Sequence, residues 1–266
     1  MNTKTIKDIK KVASKRRSQS IKEAQEMQNK LYDELISNYG HKAYVEGFLG
    51  ERLIKERIWF ALKNIPKGAT VLDVGCGDGT VTRELLQKAS TVIGLDINES
   101  AIRLANEHNQ DNRITYIKAS IEELPTNISP VNVVTMFEVI EHLHNPEIVL
   151  KSVFNLLKPG GILCLSTPNR SCLDWRLAYI KRKILRQDLN PLYEPFAWHI
   201  YEYPLKELKD LLVKNGFIIK EIHGVIFSNK LAIAFSNHSF ILEIIIRAGK
   251  IFPKLAKDVY IAAVRP

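Results

Sequence analysis

The sequence predicts an α/β fold built on a doubly wound, seven-stranded, mostly parallel sheet, and three observations carry that expectation. Short β-branched runs alternate with helical stretches from Ala69 onward, the order that a parallel sheet with crossover helices requires. The first run ends in a cluster of glycines, "VGCGDG", at the turn into a helix. Two further strand-like runs follow the last crossover helix, beyond a segment rich in aromatic and basic residues.

Each element has a local reason. "TVLDVGC" (70–76) is an apolar strand and "TVTRELLQKA" (80–89) a helix; "STVIGLD" (90–96) is the second strand. "NESAIRLANEH" (98–108) is a helix with Asn98 as its cap, and "ITYIKAS" (114–120) the third strand. "VNVVTMFE" (131–138) is the fourth. "NPEIVLKSVFNLL" (145–157) starts with Asn145 as cap and Pro146 at the first helical position, and "GGILCLSTP" (160–168) is the fifth strand. "PLKELKDLLVKNG" (204–216) is an amphipathic helix closed by Gly216, and the strands "FIIKEIHGV" (217–225) and "DVYIAAVRP" (258–266) complete the sheet. "SFILEIIIRAGKIFPKLAK" (239–257) is expected to be a helix covering the substrate end of the sheet.

The domain organisation follows. Residues 1–45 form a basic helical N-terminal extension, and 46–266 a single domain in which 171–203 and 226–257 are substrate-side lid segments. The first of these is an insertion after strand five. Of the net charge of +9, residues 1–30 supply +6, from nine Lys or Arg against three acids. Such an arm suits either a solvated helix face or an anionic partner such as RNA or a membrane surface. Apolar residues make up 45% of the chain, and no run of 18 apolar residues exists to span a bilayer. The Lys-rich start lacks the apolar core of a secretory signal, so a cytoplasmic location is expected. Cys76, Cys164 and Cys172 show neither disulfide nor zinc spacing.

Charge decides what the glycine loop can hold. A pyrophosphate loop offers bare N–H groups, whereas here Asp73 precedes Gly75 by two residues and Asp78 lies inside the loop. Asp96, at the end of the second strand, stands where a carboxylate accepts hydrogen bonds from both ribose hydroxyls. A nucleoside with a cationic tail fits, and S-adenosylmethionine is that ligand.

"VLDVGCGDGTVTRELL", "VIGLDINESAIRLA", "IKASIEELP", "MFEVIEHLHNPEIVLKSVFNLLKPGGILCLSTPN" and "HIYEYPLKELKDLLVKNGF" together resemble the class I S-adenosylmethionine-dependent methyltransferases, over about residues 65–225. Within that family the likeness is to the branch of ubiquinone-biosynthesis O-methyltransferases. The resemblance implies the Rossmann-like methyltransferase fold. By it, Asp73 holds the methionine amino group, Gly75 and Gly77 give close backbone approach, Asp96 binds the ribose, and Ser120 with Ile121 meets the adenine edge. Cys76, Ile97 and Phe137 complete the cofactor set. Two departures stand out: Ser120 occupies a position where members often carry Asp, and Asn132 replaces the acid that usually opens strand four.

"FEVIEHLHNP" (137–146) packs two carboxylates and two imidazoles into the seven positions from Glu138 to His144. If "EVIEHL" is a helical turn, Glu138, Glu141 and His142 share a face. Three readings stay open: a capped turn, a general base at His142 or His144 with Glu138 nearby, or a divalent-cation site. For the last, His199 in "FAWHIYEYPLKEL" supplies a fourth group, and Glu138, Glu141, His142 and His199 suit Mg²⁺, Mn²⁺ or Fe²⁺ better than a closed zinc site. That pattern is also similar to the small-RNA 3′-terminal 2′-O-methyltransferases. Trp175, Tyr179, Tyr193, Phe196 and Trp198 read equally as acceptor pocket or as lid packing.

The expected function is methyl transfer to a hydroxyl oxygen of a small molecule: a phenol, quinone precursor, lipid or sugar. RNA ribose methylation and a catalytically silent cofactor-binding protein are the rivals, and the C-terminal amphipathic segment (239–257) offers peripheral membrane contact. Acceptor identity and oligomeric state lie beyond the sequence.

Overall fold

A computed structural model describes residues 47–109, 111–124, 128–189, 199–235 and 238–266, together with Lys30, Asp33 and Glu34. Most of the expected N-terminal arm, and Tyr193, Phe196 and Trp198, lie outside the described residues. Helix α1 (Gly47–Asn64) precedes β1 (Ala69–Val74), α2 (Thr80–Leu85), β2 (Ala89–Asp96), α3 (Glu99–Glu107) and β3 (Ile114–Lys118). Then come β4 (Val131–Phe137), α4 (Pro146–Leu156), β5 (Leu157–Pro168), α5 (Leu173–Ile184) and α6 (Leu205–Lys214). β6 (Ile218–Val225), α7 (Asn229–Ala234), α8 (Ser239–Ile251) and β7 (Asp258–Val264) close the chain.

The seven strands lie in the order β3-β2-β1-β4-β5-β7-β6. β7 alone runs against its neighbours, pairing antiparallel with both β5 and β6. The order reverses between β1 and β4, so their carboxyl ends open a crevice where a ligand can enter. Both faces are buried, which is why the strands read as apolar runs. Val71 and Val133 join Phe60, Leu85 and Tyr260 on one face; Leu72 and Val134 join Val149, Leu150 and Leu208 on the other.

Several ends differ from expectation for local reasons. β1 stops at Val74 because Gly75 and Gly77 take left-handed φ values of 70° and 55°. Helix α2 stops at Leu85, four residues early, and β2 begins at Ala89. Asn98 caps α3 as expected, its Oδ1 accepting the Ala101 N–H at 2.8 Å. Asn145 makes no side-chain cap; Glu122 Oε1 instead accepts the N–H groups of His144 and Asn145. Helix α8 lies on a sheet face, not over the carboxyl end that the sequence suggested. Leu242, Ile245 and Ile246 are buried with Phe60 and Tyr260, and Glu243 and Lys250 pair with Arg52 and Glu56 of α1. Its apolar stripe is too broad for the rim and matches the open face of β6 and β7.

Leu163, fully buried at the middle of β5, reports the sheet's stability. Leu163→Ala should destabilise the protein by about 2–5 kcal/mol in urea unfolding followed by circular dichroism.

Candidate active site

At the crevice between β1 and β4 lies a cavity of about 250 Å³, lined by Asp73, the 75–78 loop, Asp96, Ser120, Phe137 and Glu138 among others. The glycine loop is held against its strand partner by side chains. Gly77 N–H donates to Asp96 Oδ2 at 2.9 Å, and Asn98 N–H to Asp96 Oδ1 at 2.9 Å. Asp33, a described residue of the N-terminal segment, accepts from Asn98 Nδ2 at 3.0 Å. A Cβ on Gly75 would sit 2.5 Å from Val139 Cγ2, so that position must be glycine on both steric and φ grounds.

Asp73 is 3% exposed and is aimed by two hydroxyls: Thr135 Oγ1 donates to its Oδ1 at 2.6 Å and Thr82 Oγ1 to its Oδ2 at 2.7 Å. Burial pushes its carboxyl up to about 6, against the lowering effect of those two hydroxyls, and the Asp96 charge adds to the rise. Asp96 is raised by burial too, opposed by the backbone N–H groups of Asn98, Gly77 and Ile97. Both carboxylates want a cation or a hydroxyl donor facing them from the cavity. Ile121 and Cys76 are buried walls, and Ile97 an exposed lip, of the same cavity. Ser120 Oγ accepts the Glu122 N–H at 3.2 Å, capping the short 3₁₀ turn of Ile121–Glu123. Asn132 lies at the far end of β4, where its Oδ1 accepts the Thr70 N–H.

The segment after β4 does not form the continuous helical turn expected. Glu138 adopts φ 57°, strained for a residue with a side chain, and the 3₁₀ turn spans only Ile140–His142. The strain is held by Ser166, whose carbonyl accepts the Glu138 N–H at 3.0 Å and whose hydroxyl donates to Glu138 Oε1 at 2.6 Å. Glu138 and His142 both line the cavity, but the i, i+3, i+4 convergence of Glu138 with Glu141 and His142 on one ligand point does not occur.

A different trio converges. Ligand atoms of Glu141, His142 and His199 lie within 4.8 Å of one another, and the two imidazoles meet edge to face at 5.0 Å. Glu141's carbonyl accepts the N–H groups of Ile200 and Tyr201, which fastens the His199 segment to the turn. Thr167 Oγ1 donates to Glu141 Oε2 at 2.9 Å, while Oε1 is buried without a hydrogen-bond partner. Burial, then the negative charge of Glu138, raises the Glu141 carboxyl well above the usual range. His199 Nδ1 lies 2.9 Å from Glu202 Oε1, a carboxylate contact that orients the ring. Three of the four cation ligands expected from the sequence are thus together, and Glu138 stands outside them.

Arg57 is the residue that the sequence reading missed. It projects from α1 into the cavity and pairs with Glu138 at 3.7 Å, while its buried Nε has no hydrogen-bond partner. The signal was available: a cation three residues after Ile54 and four before Ala61, on the stripe that α1 buries.

A family model described as a methyltransferase domain matches residues 44–222, more than half of the chain. The chain belongs to this family of S-adenosylmethionine-dependent methyltransferases. It is 33% identical over 170 residues to a ubiquinone biosynthesis O-methyltransferase of Haemophilus ducreyi, covering 60% of this chain and 70% of the relative. A mitochondrial ubiquinone biosynthesis O-methyltransferase of Rattus norvegicus is 30% identical over 169 residues, covering 60% of this chain. The match spans about half, 48%, of the rat protein's length. An N-methyltransferase of Bradyrhizobium japonicum, solved with S-adenosyl-L-homocysteine, superposes with a TM-score of 0.60 over 89% of this chain and 97% of its own. At 13% identity that likeness shows the fold.

Two outcomes test the cofactor geometry. With its pKa raised from 3.8 to about 6, Asp73 favours the folded state below pH about 4, and that contribution is lost as pH rises through 6. A cationic amino group needs the ionised form, so calorimetric affinity for S-adenosylhomocysteine should fall as pH drops through about 6, and Asp73→Asn should remove that dependence. Arg57→Ala should weaken the same affinity by about tenfold or more if the guanidinium meets the ligand's carboxylate.

Proposed function

We propose that the chain methylates a hydroxyl oxygen of a small molecule, a phenol or quinone precursor with vicinal hydroxyls, with a divalent cation at Glu141, His142 and His199. The observation that carries the reading is the convergence of those three groups beside the cofactor cavity, with Glu141 Oε1 buried and unpartnered. Two nitrogens and one carboxylate oxygen with open positions suit Mn²⁺ or Fe²⁺, and the oxygen-preferring Mg²⁺ less well. The relatives named as ubiquinone biosynthesis O-methyltransferases support the acceptor class.

The chemistry asks little of the protein beyond alignment and deprotonation. The acceptor oxygen attacks the methyl carbon in line, the carbon–sulfur bond breaks, and the sulfonium leaves as the neutral thioether of S-adenosylhomocysteine. A bound cation supplies a Lewis acid that lowers the pKa of a nearby hydroxyl. Asp73 and Asp96 hold the donor, and the 75–78 backbone fixes the methyl's direction. Glu138 and His142 both line the cavity and are the groups placed to take the proton. An imidazole nitrogen that binds a cation cannot also accept it, so Glu138, held by Ser166, takes the proton when the cation is bound.

RNA ribose is the second reading, favoured by the nine basic residues among the first thirty. It requires RNA affinity that falls steeply with salt and is lost on removal of residues 1–30.

Calorimetric titration of Mg²⁺ and Mn²⁺ in the presence of S-adenosylhomocysteine tests the cation site. Wild type and Glu138→Ala should bind, while Glu141→Ala and His199→Ala should lose affinity by about tenfold or more. Silence in the wild type sinks the cation reading. Catechol turnover to S-adenosylhomocysteine, lowered in Glu138→Gln without loss of cofactor affinity, would then test the proton acceptor separately.

A further inference from the structure

An ordinary surface helix turns its apolar stripe inward, and α5 does the reverse. Leu177, Ile180 and Ile184 recur at intervals of three and four residues, so they share one face. Their exposures are 54%, 52% and 73%, and no residue of the helix is buried. Trp175, Ala178 and Tyr179, on the opposite side, are only partly exposed. Basic residues flank the outward stripe: Arg176 and Lys183 on one side and Lys181 on the other, all exposed. Within the helix Asp174 is the lone acid, and it is occupied at the N-terminus of α7, accepting from Ser228 Oγ and the Asn229 N–H at 2.7 Å each.

Helix α8 repeats the arrangement on its outer side. Phe240, Ile244 and Ile251 form one stripe, exposed by 76%, 51% and 70%, with Arg247 among them. Its inner side is the buried one described above. The two helices are joined at their ends: Asp174 links α5 to α7, the Leu173 N–H donates to the Leu255 carbonyl, and Phe227 packs on Phe252. Of the 16 exposed large hydrophobic residues among the described residues, 11 lie on α5, α7 or α8 or one residue past their ends. Exposed apolar groups gathered in this way mark a binding face.

We propose that this face, the outer sides of α5 and α8 with α7, docks on an anionic lipid bilayer. A protein partner would complement the apolar stripe equally well, but it would leave unexplained why lysines and arginines border the stripe on both sides. That border is what an interfacial helix needs: aliphatic groups reach the acyl boundary while long cationic side chains meet phosphate head groups. None of the described helices is long and apolar enough to cross a membrane, so the contact is peripheral. Helix α5 leaves β5 at its carboxyl end, five residues beyond Pro168, so docking would bring the mouth of the cofactor cavity near the lipid surface.

Flotation of the full chain with vesicles tests this. The vesicles are phosphatidylcholine alone or phosphatidylcholine mixed with phosphatidylglycerol, at low and raised salt. Wild type should float with the anionic vesicles, less so as salt rises. The triple variant Leu177→Ser, Ile180→Ser, Ile184→Ser should partition at least about tenfold less. Lys181→Glu with Lys183→Glu should do the same. Both variants should keep wild-type affinity for S-adenosylhomocysteine, which shows that they fold. The apolar variant separates this face from the basic residues of 1–30, which it leaves intact. Flotation equal to wild type in that variant, or no flotation of wild type with anionic vesicles, overturns the proposal. So does a dimer in sedimentation that the apolar variant dissociates without any vesicle binding.

Discussion

The Asp96 carboxylate, shared between the ends of two strands, is the contact on which the site depends. A half-buried carboxylate must be met by fixed dipoles, and here the Gly77 and Asn98 N–H groups meet it. One of those groups belongs to the loop after β1 and the other to the cap of α3, so a single charge fixes two turns of the doubly wound sheet. With Gly77 tied down, the left-handed glycines hold the backbone open toward the crevice. Val139 fills the space beside Gly75 and carries the packing over to the segment after β4.

The interior of the site is short of positive charge. Asp73, Asp96 and Glu141 are all raised by burial, and the two Thr hydroxyls on Asp73 only partly offset it. Arg57 pairs with Glu138 and offsets the rise at Glu141 only in part. Such a constellation is under tension until cationic ligands arrive. On the proposed reading the donor's ammonium and sulfonium would answer Asp73 and its neighbours, and a divalent cation Glu141. On that reading one electrostatic deficit would draw both ligands to the cleft, each lowering the cost of ionising the carboxylates beside it.

Outside, the balance is reversed. The surface carries the excess of Lys and Arg, and on α5 and α8 these residues border apolar stripes that the core does not use. Only a comparison of the two helices shows the distinction. Helix α8 carries apolar residues on two sides because it serves the sheet with one and the surface with the other, whereas α5 serves the surface alone.

Sequence by itself determined the sheet and the cofactor half of the site, since both rest on local chemistry. Strand runs buried on two faces must be continuously apolar, left-handed turns must be glycine, and Asp73, Asp96 and the Asn98 cap are set by their distance along the chain from those turns. The acceptor half was legible only as a list of candidate groups. Whether Glu138 joins Glu141 and His142 turns on one backbone angle, and that angle is imposed by Ser166, 28 residues away. His199 reaches the trio because Ile200 and Tyr201 bond to the Glu141 carbonyl, and Arg57 enters the cavity because α1 packs where it does. Periodicity places side chains relative to their own helix or strand; it carries no information on which distant backbone group will bend a turn, and that was decided by tertiary contacts alone.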